Sequence, residues 1–170
     1  PMGKFFEGNG HYYEYVATTT SWWAAYDASI VSRYGVIGNL VEINDHKENE
    51  FISDLVGNNN AWIGLTDDSK EGDYRWPTSN ITTNYTNWNG GEPNNHYHMI
   101  WGDEDYIGIL GNGKWNDFNS FLWSLGYVIE YDVPEVKLED VSISNGIEGS
   151  TGSIITFKFD RSLEGYESLI

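Results

Sequence analysis

Three short stretches concentrate the side chains able to do chemistry. Residues 66–72 read TDDSKEG, residues 88–95 read WNGGEPNN and residues 111–117 read GNGKWND. All three set acids close to amides or glycines, in segments with little helical or strand pattern of their own. Hard oxygen donors of this kind suit Ca²⁺, which takes roughly 6–8 oxygens at about 2.3–2.6 Å with weak angular demands. Acids and amides from separate loops can therefore share one ion. Other chemistries have less to work with. His96 and His98 form an H-x-H pair without a third ligand nearby, too few for a catalytic zinc. The chain has no cysteine, which removes disulfides, thiol catalysis and thiolate metal sites. A glycosidase pair needs one acid kept protonated, whereas acids sharing a cation stay ionised. The chain therefore reads as a binding module and not an enzyme.

The charge balance narrows the partners. Nine basic side chains against 26 acidic ones give a net charge of -17 over 170 residues. Nucleic acid, which demands a basic surface, is excluded as a partner. The acidity suits either a solvated surface or a store of oxygen ligands for divalent cations. No apolar run approaches the roughly 20 residues needed to cross a bilayer, so no membrane insertion is expected. The opening PMGK reads as the start of a module cut from a larger multidomain chain.

Periodicity outlines what must position these loops. HYYEYV (11–16) is aromatic and β-branched, a strand pattern. A helix is expected from a cap at Thr20 or Ser21 to a stop at Gly35, with Trp23, Ala24, Asp27, Ala28 and Val31 at helical spacing. NLVEI (39–43) reads as a strand. A second helix follows, capped by Asn44 or Asp45 and closed by Gly57. AWIGLTD (61–67) reads as a buried strand. Periodicity then vanishes from 68 to 105, apart from a short strand near YRWP. A loop this long in a compact domain is functional or disordered, and its many aromatics argue for order. YIGIL (106–110), a tight Asn-Gly turn, KWNDF (114–118) and GYVIEYD (126–132) complete a set of strands. Trp62, Trp115 and Trp123 are expected in the core. After Pro134, alternation around 141–143 and 154–158 suggests two further strands. The expected division is a domain over 1–133, then 134–170 as a linker and strands of a neighbouring or supporting module.

This order of elements, with WIGL (62–65), EPN (92–94), WND (115–117) and GYVIEY (126–131) in sequence, resembles the C-type lectin-like domain. The resemblance covers about residues 10–132. It implies an α+β fold with two helices, antiparallel sheets and a long irregular calcium-binding loop. It also implies a sugar-binding calcium held by Glu92, Asn94, Glu104, Asn116 and Asp117, with Asp103 a possible substitute for Glu104. Vicinal hydroxyls of mannose-, glucose- or fucose-type sugars would complete the coordination. Galactose-type members carry Gln-Pro-Asp in place of Glu-Pro-Asn. In the family Pro93 is cis, which aims its neighbours at one ion. A second, structural calcium would use Asp67, Glu71, Asn95 and Asp105. Tyr97 and Trp101 would stack on the sugar or order the loop. Vertebrate members carry two disulfides, whose positions here fall at Arg33 with Ile129 and Tyr106 with Ser120. Cysteine-free members resemble lectin modules of bacterial repeat adhesins. That implies an extracellular, secreted or cell-surface location and glycans on host or neighbouring cells as partners. The alternative is a calcium-dependent protein- or ice-binding module on the same fold.

Overall fold

A computed structural model describes residues 3–33 and 35–134, and the backbone of two later strands, 138–145 and 153–159. The chain opens with β1 (Lys4–Phe6) and β2 (His11–Thr20), antiparallel to each other. Helix α1 (Trp22–Ser29) and the short strands β3 (Ser32–Arg33), β4 (Val36–Ile37) and β5 (Asn39–Leu40) follow. Next come α2 (His46–Val56), β6 (Ala61–Thr66), β7 (Arg75–Trp76) and β8 (Ile81–Thr82). After a long irregular segment, β9 (Tyr106–Ile109), β10 (Trp115–Phe118) and β11 (Leu125–Tyr131) close the domain. β11 lies between β2 and β6, antiparallel to the first and parallel to the second. β6 also pairs antiparallel with β9, and β9 with β10. The sheet is therefore mixed. β12 (Leu138–Asn145) and β13 (Ser153–Phe159) pair antiparallel with each other.

Local chemistry explains the helices. Asp45 caps α2 by accepting from Glu48 N at 2.9 Å, and Glu48 Oε2 accepts from Asn44 N at 2.7 Å. Gly57 ends the helix at φ 67°, with its N–H donated to Ser53 O at 2.8 Å. Ser21 caps α1, but that helix stops at Ser29, well short of Gly35. Ser29 Oγ bonds back to Tyr26 O at 2.7 Å, and the β-branched pair Ile30 and Val31 follows. Gly35, at φ 74°, lies between β3 and β4 instead of stopping a helix. The inward face of α1 also differs from expectation. Trp22, Ala25 and Ser29 are buried, while Trp23 is 47% exposed. In a Trp-Trp doublet either ring can anchor the helix. Here Trp22 wins because its indole N–H reaches Ile63 O at 2.8 Å inside the core.

The core is built on tryptophans whose polar ends are satisfied. Trp22, Trp62, Trp76 and Trp115 are all essentially buried. Trp62 Nε1 donates to Thr20 O at 2.7 Å, and Trp115 Nε1 to Asn49 Oδ1 at 2.7 Å. Each side chain of this size contributes on the order of 1.5–3 kcal/mol through burial. Trp123 departs from expectation. It is 48% exposed and packs edge-on against Phe118 at 5.4 Å, in the short connection between β10 and β11. Gly64 has a clear reason to be glycine, since a Cβ there would lie 2.8 Å from Leu40 O.

At the positions the resemblance pairs as disulfides, other contacts stand. Arg33 Nη1 donates to the buried Glu14 at 2.7 Å, and Ile129 is in the core. The Tyr106 ring lies 5.1 Å from that of Trp22, and Ser120 Oγ accepts from Trp22 N at 2.9 Å. A buried polar cluster joins β2, α2 and β11. Tyr13 OH donates to Glu48 Oε1 at 2.6 Å and lies 3.2 Å from Glu130 Oε1, which also meets His11 Nδ1 at 2.6 Å. The bond to Glu130 raises the His11 pKa, and burial raises that of Glu48.

Candidate functional site

The irregular segment between β8 and β9 folds back onto β10. The Glu92–Pro93 peptide bond is cis. Trp88 pairs with Trp115, and Asn89 N donates to Trp115 O at 2.8 Å. These bonds bring residues 92–95 beside the buried Asp117. Its Oδ1 accepts from Asn94 N at 3.3 Å and its Oδ2 from Asn95 N at 2.7 Å. The Asn94 amide donates to Glu92 Oε2 in a close contact. Asn116 Nδ2 lies 2.6 Å from Asp117 O.

Glu104 enters the same constellation from the other end of the loop. Its Oε2 accepts from His96 N at 3.2 Å, and its own N donates to Asn95 Oδ1 at 3.2 Å. Burial raises the Glu104 pKa, the His96 N–H opposes that, and the charges of Asp117 and Glu92 add to the rise. The repulsion that Glu92 and Asp117 exert on Glu104 marks three carboxylates sharing one region. Asn116 stands beside them on β10, with its amide turned toward its neighbour's carbonyl.

A second acidic group lies at the base of the loop. Ligand atoms of Glu71, Asp103 and Asp105 all fall within 4.8 Å of one another. Asp67, 1% exposed, accepts from Gly72 N through Oδ2 at 2.9 Å, while its buried Oδ1 has no hydrogen-bond partner. Its pKa is pushed up to about 6, chiefly by burial, against the Gly72 N–H and the Tyr74 hydroxyl and with help from Glu71 and Asp105. Burial likewise raises Asp105, with Asp103, Asp68 and Glu71 adding repulsion. The Glu71, Asp103 and Asp105 cluster is a donor set that fits a hard divalent cation, and the orphaned buried oxygen of Asp67 lies within electrostatic reach of Glu71 and Asp105. Asp103 thus groups with Glu71 and Asp105. Asn95, expected at the second ion, is bonded here to Asp117 and Glu104 of the first group.

Tyr97 is exposed. The Trp101 ring stacks on Phe121 at 5.9 Å with an interplanar angle of 27°. Asn119, which the sequence did not single out, is buried and binds three carbonyls of the loop. Its only sequence signal was its position two residues after Asp117. Among the described residues, no helix is long and apolar enough to cross a membrane.

Known proteins share this architecture. The mouse (Mus musculus) low affinity immunoglobulin epsilon Fc receptor is 39% identical over 80 residues, covering 47% of this chain and 23% of that protein. A perlucin-like protein from the mussel Mytilus galloprovincialis is 31% identical over 96 residues, covering 54% of this chain and 60% of that protein. The chain thus spans about a quarter and three fifths of the lengths of these relatives. The human scavenger receptor C-type lectin carbohydrate-recognition domain superposes with a TM-score of 0.64 at 29% identity, over 76% of this chain and 95% of that one. The lectin C-type domain model matches residues 33–121, from the end of β3 to just beyond β10. Since that span holds both acidic groups and covers more than half of the sequence, the chain belongs to the lectin C-type domain family.

Proposed function

We propose that this domain binds carbohydrate through calcium, without catalysis. Glu92, Asn94, Glu104, Asn116 and Asp117 would hold the sugar-site ion. Asp67, Glu71, Asn95 and Asp105, with Asp103, would hold a second, structural ion. Calcium so held would supply coordination to a pair of vicinal hydroxyls. The protein's part is to read those hydroxyls: Glu92 and Glu104 accept hydrogen bonds, while Asn94 and Asn116 donate them. The Glu-Pro-Asn order favours mannose, glucose or fucose over galactose.

The observation that carries this reading is Asp117. One buried carboxylate takes two backbone N–H groups of the Glu-Pro-Asn-Asn run and so fixes two distant segments together. A scaffold with no ligand to read has no need of that convergence beside Glu104. The resemblance to cysteine-free lectin modules supports an extracellular setting as the ligand-binding module of a bacterial surface adhesin, although the relatives named above are eukaryotic. Residues 134–170 would then form a linker and a supporting module. Weak single-site binding would gain avidity through multivalent display. A glycan array run in millimolar calcium and again in EDTA tests this. Calcium-dependent hits on mannose- or fucose-bearing glycans are expected, and an array with no calcium-dependent hit overturns the reading.

A further inference from the structure

Two loops beside the candidate sugar site display apolar side chains to solvent. Met99 is 88% exposed, Ile100 75% and Phe121 72%, with Trp101, Leu122 and Trp123 each about half exposed. Turn tips usually carry Gly, Asn or Asp, so Met-Ile at the tip of one is unusual. The two loops meet where Trp101 stacks on Phe121, and an exposed apolar patch of this kind marks a binding surface.

The display is built and not accidental. His98 N donates to Gly102 O at 2.8 Å and Gly102 N to His98 O at 2.9 Å, closing the first loop around Met99 and Ile100. Asn119, 3% exposed, fastens that loop to the second. Its Nδ2 donates to Trp101 O at 2.8 Å and Asp103 O at 2.9 Å, and its Oδ1 accepts from Phe121 N at 2.9 Å. Its backbone carbonyl accepts from Leu122 N at 3.2 Å and Trp123 N at 3.1 Å. One buried amide residue therefore holds both apolar loops in a fixed relation.

We infer that these loops form an apolar shelf extending the sugar site, which takes glycans bearing an acyl, alkyl or aryl group next to the calcium-held sugar. The inference rests on the carbohydrate reading above. Continuity with that site is the first argument: Asp103, whose carbonyl Asn119 holds, directly precedes Glu104, and Asn119 itself lies two residues beyond Asp117. Charge is the second. A net charge of -17 opposes docking of a second copy or of an anionic lipid surface. An uncharged apolar group delivered on the sugar carries no such penalty. A shelf held rigid before binding also costs little ordering entropy when it is covered.

The test is calorimetric titration of the whole chain, in calcium, with methyl, hexyl and phenyl glycosides of mannose and of fucose. Hexyl and phenyl glycosides are expected to bind about tenfold tighter than the methyl glycoside. That ratio should fall below about threefold in Ile100→Ser and in Phe121→Ser, with calcium-dependent melting confirming that each variant folds. Methyl glycosides that bind while hexyl and phenyl gain nothing overturn the shelf and leave the sugar reading standing. No binding of any glycoside overturns both. Concentration-dependent dimerisation, or binding to phosphatidylcholine vesicles, that Phe121→Ser abolishes without changing the glycoside ratio also overturns it, assigning the surface to another occupant.

Discussion

Asn95 donates its backbone N–H to Asp117 Oδ2 at 2.7 Å, joining an irregular loop to a core strand through a buried carboxylate. The second oxygen of Asp117 takes Asn94 N, so each oxygen accepts one backbone N–H and keeps a lone pair for an ion. Asp117→Asn replaces one acceptor with a donor that must oppose an N–H. The expected cost is about 1–3 kcal/mol, a drop of several degrees in Tm. Scanning calorimetry with and without calcium should also show a loss of calcium stabilisation. A variant that melts like wild type and still gains from calcium would remove Asp117 from both roles.

Asp67 has an opposite signature in the two conditions. Without calcium its buried Oδ1 is uncompensated and its pKa sits at about 6, above the ordinary 3.8. The folded state then holds a proton that the unfolded state releases. Its contribution to stability is full below about pH 3.8 and lost as pH rises through about 6. Asp67→Asn should therefore melt higher than wild type in EDTA at pH 7. In saturating calcium the order should reverse, because an ion at a hundredfold excess over Kd stabilises the native state by about 2.7 kcal/mol. Equal melts of the two proteins in calcium would exclude Asp67 as a ligand.

Exchanging the donor and acceptor pattern at Glu92 and Asn94 should change which diol is read. Glu92→Gln with Asn94→Asp puts a donor where a hydroxyl proton was accepted, and the reverse at position 94. One mismatched hydrogen bond is worth on the order of 1 kcal/mol, so relative preference should move toward galactose by about tenfold. Competition on immobilised glycans measures it. An unchanged sugar profile would mean that these side chains do not touch the hydroxyls.

His11 provides a pH signature away from the loop. Its bond to Glu130 raises its pKa above 6.5, with burial opposing and Asp132 and Glu48 assisting. Stability from this pair is complete below pH 6.5 and fades as pH climbs through the raised value. His11→Gln should lose about 1–2 kcal/mol at pH 6 and flatten the melting profile above it. A wild-type Tm that stays level from pH 6 to 8.5 would refute the charged pair.

Much of the architecture was legible in residue order. Asp45 and Gly57 marked the ends of α2 because caps are local chemistry, and β6, β9 and β11 followed from dense apolar runs. WIGL, EPN and WND carried the family because each is a contiguous string whose spacing survives in one dimension. The donor types around residues 92–95 and 116–117 were equally plain. Facing was not. Which of Trp22 and Trp23 turns inward, where α1 ends, and that Trp123 stays at the surface all depended on partners distant in sequence. β1, and the parallel pairing of β6 with β11, were likewise invisible, since such short or non-local pairings leave no periodic trace. Asp103 joined Glu71 and Asp105, and Asn119 became the clamp between two apolar loops, only once the chain had closed. Residue types determine which bonds this protein can make. Long-range packing decides which carboxylates meet, because the energy of bringing like charges together is settled by backbone bonds formed across the fold.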